Sequence, residues 1–152
     1  MAYLLLKWLH VIAAIVAVGS NVTYGLWIAN ATRKPEVLPF TLKTIKLIDD
    51  RLANPCYAAL LLTGGAMLFV VRIPLTTSWL VTSLVLYVLL FLLGVFGYSP
   101  TLRQQIDTLE REGVQSANYQ ALARRGTSQG VMLAVLVMLI VFLMVVKPRL
   151  WS

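Results

Sequence analysis

The sequence predicts an all-α protein that crosses a membrane four times, and three observations carry that reading. The hydrophobic fraction is 59% and the charged fraction 12%, about half of the roughly 25% found in soluble domains. Four stretches, about 3–29, 53–72, 78–98 and 127–147, are apolar over the roughly 20 residues that a span requires at 1.5 Å rise each. The remaining residues form two long polar connections and one tight turn. A four-helix transmembrane bundle follows, built as a single domain over residues 1–152. No separate soluble domain is left, so any chemistry belongs in or at the bilayer.

The first span organises the rest. On a helical wheel Tyr3, Lys7, His10, Ala14, Ala17, Asn21, Tyr24 and Ile28 fall within about 60° of His10. The opposite face, with Trp8, Val11, Ile15, Val22 and Thr23, is bulky and suits lipid apart from one threonine. The N-terminus lacks a basic region ahead of its apolar run, and that run is too long for a signal peptide, so it reads as a retained helix. Pro35 and Pro39 end it.

Residues 30–51 are polar and basic, with Leu42, Ile45, Leu47 and Ile48 at helical spacing, and a short interfacial helix is expected there. The second span begins around Asp50-Arg51-Leu52, with Pro55 in its first turns. Thr63-Gly64-Gly65 lies mid-span as a packing notch, or as room for a flat ligand. Arg72 and Pro74 end that span, and Thr77-Ser78-Trp79 opens the third with a polar cap and an interfacial tryptophan. The third runs to Tyr98-Ser99-Pro100. Residues 100–126 predict a peripheral amphipathic helix broken at Gly113, and the fourth span runs from Ser128 to Val146.

The net charge is +7. Nine of the basic residues lie in the connections 30–51 and 100–126, against four (Lys7, Arg72, Lys147 and Arg149) at the other end. The positive-inside rule then puts both connections in the cytoplasm and both termini outside. This placement accounts for the charge without a nucleic-acid partner, and the loops lack the interleaved aromatics that stack bases. A single cysteine, Cys56, excludes an internal disulfide and any cysteine-rich metal centre.

His10 is the only histidine. An ionisable group within a span is costly and is a functional hypothesis by default. One reading is structural: His10 bonds a neighbouring helix and Lys7 snorkels to the headgroups. The other makes the neutral imidazole an axial ligand to haem b. Lys7 then pairs with a propionate, and Asn21 and Tyr24 supply hydrogen bonds deeper along the stripe. One histidine cannot provide two axial imidazoles in one chain. Met67, Met144, a lysine, a water or His10 of a second subunit would complete the iron. All six carboxylates fall in the connections, which weakens proton-relay and cation-transporter readings. No nucleotide-binding glycine loop and no HExxH motif is present.

Several motifs resemble a known family. Lys7-Trp8-Leu9-His10-Val11-Ile12 with Gly19 resembles the first-helix motif of HemJ-type protoporphyrinogen oxidases. Asp50-Arg51-Leu52, Pro55, Leu61-Leu62-Thr63 and Gly65 resemble the second helix, Trp79-Leu80 the start of the third, and Val145-Val146-Lys147-Pro148 the carboxyl end. The resemblance implies a membrane helical fold that binds haem b, with His10 matching the first-helix histidine. Val81, Thr82 and Ser83 stand where that family has a lysine, and Thr127, Ser128 and Gln129 replace its asparagine–glutamate feature. The chain therefore resembles most an uncharacterised bacterial branch of small predicted integral membrane proteins, related to HemJ and more distantly to copper-resistance D proteins.

The expected function is a haem- or tetrapyrrole-binding protein of the bacterial cytoplasmic membrane, exchanging electrons with the quinone pool as an oxidoreductase would. The competing expectation is a non-enzymatic accessory subunit of a larger membrane complex, or of a homo-oligomer, with the polar stripe on the bundle's outer surface against its partner.

Overall fold

The computed structural model describes residues 1–151, and all secondary structure among them is helical. Four helices carry the fold: α1 (Ala2–Ala31), α2 (Leu38–Val71), α3 (Ser78–Glu112) and α4 (Ala117–Val146). Each is long and apolar enough to cross a membrane. They run antiparallel in chain order, so both termini and the 71–78 turn share one end, the terminal end. The other two connections share the opposite, loop end.

The long connections differ from their expected form. No separate interfacial helix occupies 30–51: residues 38–48 are the first turns of α2, continuous with its span. Residues 99–112 likewise continue α3, and α4 starts at Ala117 rather than Ser128. Pro55, expected in the first turns of the second span, and Pro100, expected at the end of the third, lie well inside these continuous helices. A proline within a helix lacks an N–H and crowds the carbonyl four residues back. Here each follows a wide π-helical segment by two residues, Asp49–Ala53 before Pro55 and Leu93–Tyr98 before Pro100. The widened turn relieves that crowding and lets the helix continue. The break at Gly113 is as expected. Its φ of 83° suits glycine and stops α3, and the Ser116 hydroxyl then accepts the Tyr119 N–H at 3.0 Å to cap α4.

Burial is concentrated at the loop end. Leu38, Leu42 and Ile45 of α2 pack with Leu102 and Leu109 of α3, Tyr24 and Ala31 of α1, and Tyr119 of α4. Lys43 and Glu110 pair across the α2–α3 surface there. A smaller cluster, Leu90 with Leu136 and Val137, joins α3 to α4 within the membrane. At the terminal end the Lys147 ammonium lies 5.3 Å from the Trp79 ring centre, and the Leu150 N–H donates to the Ser78 hydroxyl at 3.1 Å.

The bundle is two hairpins, α1–α2 and α3–α4, joined along α1–α4 and at the loop end. Within the membrane α2 and α3 stand apart: no Cα atom of residues 54–71 comes within 8 Å of one in residues 78–98. The large apolar side chains left exposed, such as Phe69, Val85 and Phe142, are compatible with lipid contact.

Candidate functional site

The polar stripe of α1 faces into the bundle. Ala17 is fully buried and Tyr24 is 5% exposed, while His10, Ala14, Asn21 and Ile28 are half-buried. Trp8, Val11, Ile15 and Val22 on the other face are exposed. Tyr3 and Lys7 lie at the open terminal end and are exposed. An accessory subunit docked through this stripe would carry it on the outer surface; from His10 inward it lies inside instead.

His10 meets Thr63. Its Nδ1 lies 2.8 Å from the Thr63 hydroxyl oxygen, and that hydroxyl donates to the Ala59 carbonyl at 2.6 Å. With its own hydrogen directed to Ala59, the hydroxyl can only accept from the ring. Nδ1 therefore carries the proton, and Nε2 keeps its lone pair with no side-chain partner. A neutral imidazole held in this way can accept a hydrogen bond, take up a proton or bind a metal through Nε2.

The glycine pair has a divided role. A Cβ on Gly64 would lie 3.3 Å from His10 Cε1, so Gly64 is the seat of the imidazole and supports the packing reading of the notch. A Cβ on Gly65 would meet nothing within 4 Å, so that position borders open space. Met67 lies one turn beyond Thr63 on α2 and Met144 near the terminal end of α4, both half-buried.

Asn21 and Tyr24 do not join His10. Asn21 is eleven residues along the helix, about 16 Å by the 1.5 Å rise. Its amide donates to the Tyr57 hydroxyl, and Tyr87 donates across the α2–α3 gap to the Tyr57 carbonyl at 2.6 Å. Tyr24 turns its hydroxyl into the interior, where it has no partner. Beyond it Asp49, 8% exposed, points inward from the π segment of α2 and accepts a 3.4 Å hydrogen bond from Asn54. Asp49 lies four residues outside the second apolar stretch, and burial pushes its carboxyl above the usual carboxylate range, against the pull of Lys46.

Tyr57, Tyr87 and Asp49 were not singled out by sequence. The wheel used on α1 would have found Tyr57, which shares a face of α2 with Leu60 and Gly64. Nothing local distinguishes inward Asp49 from exposed Asp50; the π segment does. Two surface cavities of about 710 and 720 Å³ lie near Trp27, Arg33 and Lys34 and near Ser78, Arg149 and Trp151, and neither is lined by His10. Cys56 is a half-buried free thiol. Among the described residues no three His, Cys, Asp or Glu side chains gather into a metal cluster, so a metal here would need a ligand frame of its own.

A family described as "Predicted integral membrane protein (DUF2269)" matches residues 4–148 of the chain. No curated protein and no solved structure matches it.

Proposed function

The chain belongs to the DUF2269 family of predicted integral membrane proteins, and from that premise we propose that it binds haem b, or a related tetrapyrrole, through His10. The observation that carries this reading is the His10–Thr63 pair, which occupies Nδ1 and gives Nε2 no side-chain hydrogen-bond partner. A hydrogen bond on the far ring nitrogen is the usual support of a ligating histidine, fixing its tautomer and raising its basicity. The open space at Gly65 and the separation of α2 from α3 fit a flat ligand entering from the bilayer. The motif resemblance to HemJ-type oxidases points the same way.

When bound, haem supplies a one-electron couple within the membrane. The chain's own residues then have distinct tasks. Thr63 orients His10, and Gly64 lets the ring lie against α2. Lys7, exposed one turn further out, pairs with a propionate at the terminal end. Met67, Met144, a lysine, a water or His10 of a second subunit would supply the second ligand, while Asn21 stays bonded to Tyr57 and Tyr24 stays at the loop end, apart from His10. The charge asymmetry supports placement in a bacterial cytoplasmic membrane with both termini outside and quinone as the electron partner.

The test is an optical spectrum of detergent-purified protein, oxidised and dithionite-reduced, beside His10→Ala. A Soret band with a reduced α-band, lost in the variant, supports His10 as the ligand. A colourless wild type from haem-replete cells overturns the reading.

A further inference from the structure

A second polar group lies where the membrane-spanning parts of the helices meet the loop-end core. Asp49 is buried at 8% exposure, and its one side-chain hydrogen bond, from Asn54, is long at 3.4 Å. Lys46, three residues before it, is paired with the exposed Asp50. Tyr24, 95% buried by its 5% exposure, has a hydroxyl sealed from solvent and without a partner. α1, which carries Tyr24, packs directly against the π segment Asp49–Ala53. An unused donor and an under-bonded acceptor thus lie on two elements packed together at the loop end of the bundle. Asp49 itself opens a π-helical segment, Asp49–Ala53, and such widened turns occur often at functional sites.

A carboxylate taken out of water without a full set of donors is costly, and protonation removes most of that cost. Asn54 bonds it at 3.4 Å, Lys46 and Asp50 stand on its own turns, and the ionisable groups on the helices around it are the tyrosines Tyr24 of α1, Tyr57 of α2 and Tyr98 of α3. Apart from Lys46 and Asp50 these are neutral hydroxyls, which can relay a proton without holding a charge, and the Asn54 amide, which donates to the carboxylate.

We propose that Asp49 and Tyr24 form a proton-uptake site inside the loop end of the bundle, filled from water past the exposed Asp50. The proton binds a carboxylate oxygen of Asp49. The Tyr24 hydroxyl, which has no direct partner, donates to that carboxylate through water and passes protons on toward the Tyr57 hydroxyl. Each proton that leaves Tyr24 on one side is replaced from the other, so no tyrosinate accumulates. The site stands whether or not a haem is bound at His10.

The experiment is an infrared pH titration of the full chain in lipid bilayers. The other five carboxylates, Glu36, Asp50, Asp107, Glu110 and Glu112, are exposed, so the wild-type minus Asp49→Asn difference isolates Asp49. A protonated-carboxyl C=O band is expected that disappears at least one pH unit above the ordinary aspartate value of about 3.9, a tenfold or greater gain in proton affinity. It should be missing from Asp49→Asn. Tyr24→Phe should keep the band, change its frequency and move its midpoint upward, because a donor to the charged form is lost. Should Asp49→Asn fail to fold, the wild-type midpoint and the Tyr24→Phe shift decide. A wild-type midpoint at the ordinary value, or a band that survives in Asp49→Asn, overturns the site. An unchanged band in Tyr24→Phe overturns the role of Tyr24.

Discussion

The hydroxyl of Thr63 lies 2.8 Å from His10 Nδ1 and, because it donates to the Ala59 carbonyl, it sets which nitrogen of that ring carries the proton. Thr63→Val should keep the volume and remove the acceptor, leaving Nδ1–H unpaired at a cost of about 1–3 kcal/mol. If His10 ligates haem, retention of the cofactor on purification should fall roughly tenfold or more, as for other outer partners of ligating histidines. Thr63→Ser should restore most of it. Equal haem content in Thr63→Val and wild type would separate the hydroxyl from the ligand.

Gly64 and Gly65 are adjacent but should respond differently to the same change. Gly to Ala within a helix gains about 1 kcal/mol of helix propensity. Gly65→Ala meets nothing within 4 Å and should realise that gain. Gly64→Ala puts a methyl 3.3 Å from His10 Cε1 and must push the ring away from α2. Thermal unfolding in detergent should place Gly64→Ala clearly below Gly65→Ala. The reverse order would contradict the seat described for His10.

The Tyr87 hydroxyl links α3 to the Tyr57 carbonyl across the wide side of the bundle. Tyr87→Phe removes one hydrogen bond and should cost about 1 kcal/mol. Denaturant or thermal midpoints in a fixed detergent measure it. A variant as stable as wild type would show that the gap does not depend on this link.

Asp49 makes stability depend on pH in a defined direction. Its folded-state value is raised above the unfolded value, chiefly by burial. The native state therefore binds its proton more tightly than the unfolded chain. Stability from this group is complete below the unfolded value of about 3.9, and it is lost as pH rises through the folded value. Asp49→Asn should remove that loss, so the variant gains on wild type as pH rises. Melting curves across that range check it; a variant that loses ground to wild type with rising pH would reverse the sign.

Much of this architecture was legible in the sequence, for physical reasons. A bilayer imposes a length of apolar helix, and 3–29, 53–72, 78–98 and 127–147 meet it directly. The 3.6-residue period placed His10, Ala17, Asn21 and Tyr24 on one face, and that face is the inner one. The continuity of α2 and α3 was not legible, because Pro55 and Pro100 are helix breakers by local rules and only a π segment beside each overrides them. The partners of the stripe were hidden for another reason. Thr63, Tyr57 and Asp49 are set by the rotation of α2 against α1, which is a matter of tertiary packing rather than of local pattern.

The most direct test of a haem at His10 is a count of haem per chain in protein purified from haem-replete cells, beside His10→Ala. One haem per chain is expected if a methionine, lysine or water completes the iron, and one per two chains if His10 of a second subunit does. His10→Ala should hold none. Wild-type protein that is folded and free of haem would contradict the account.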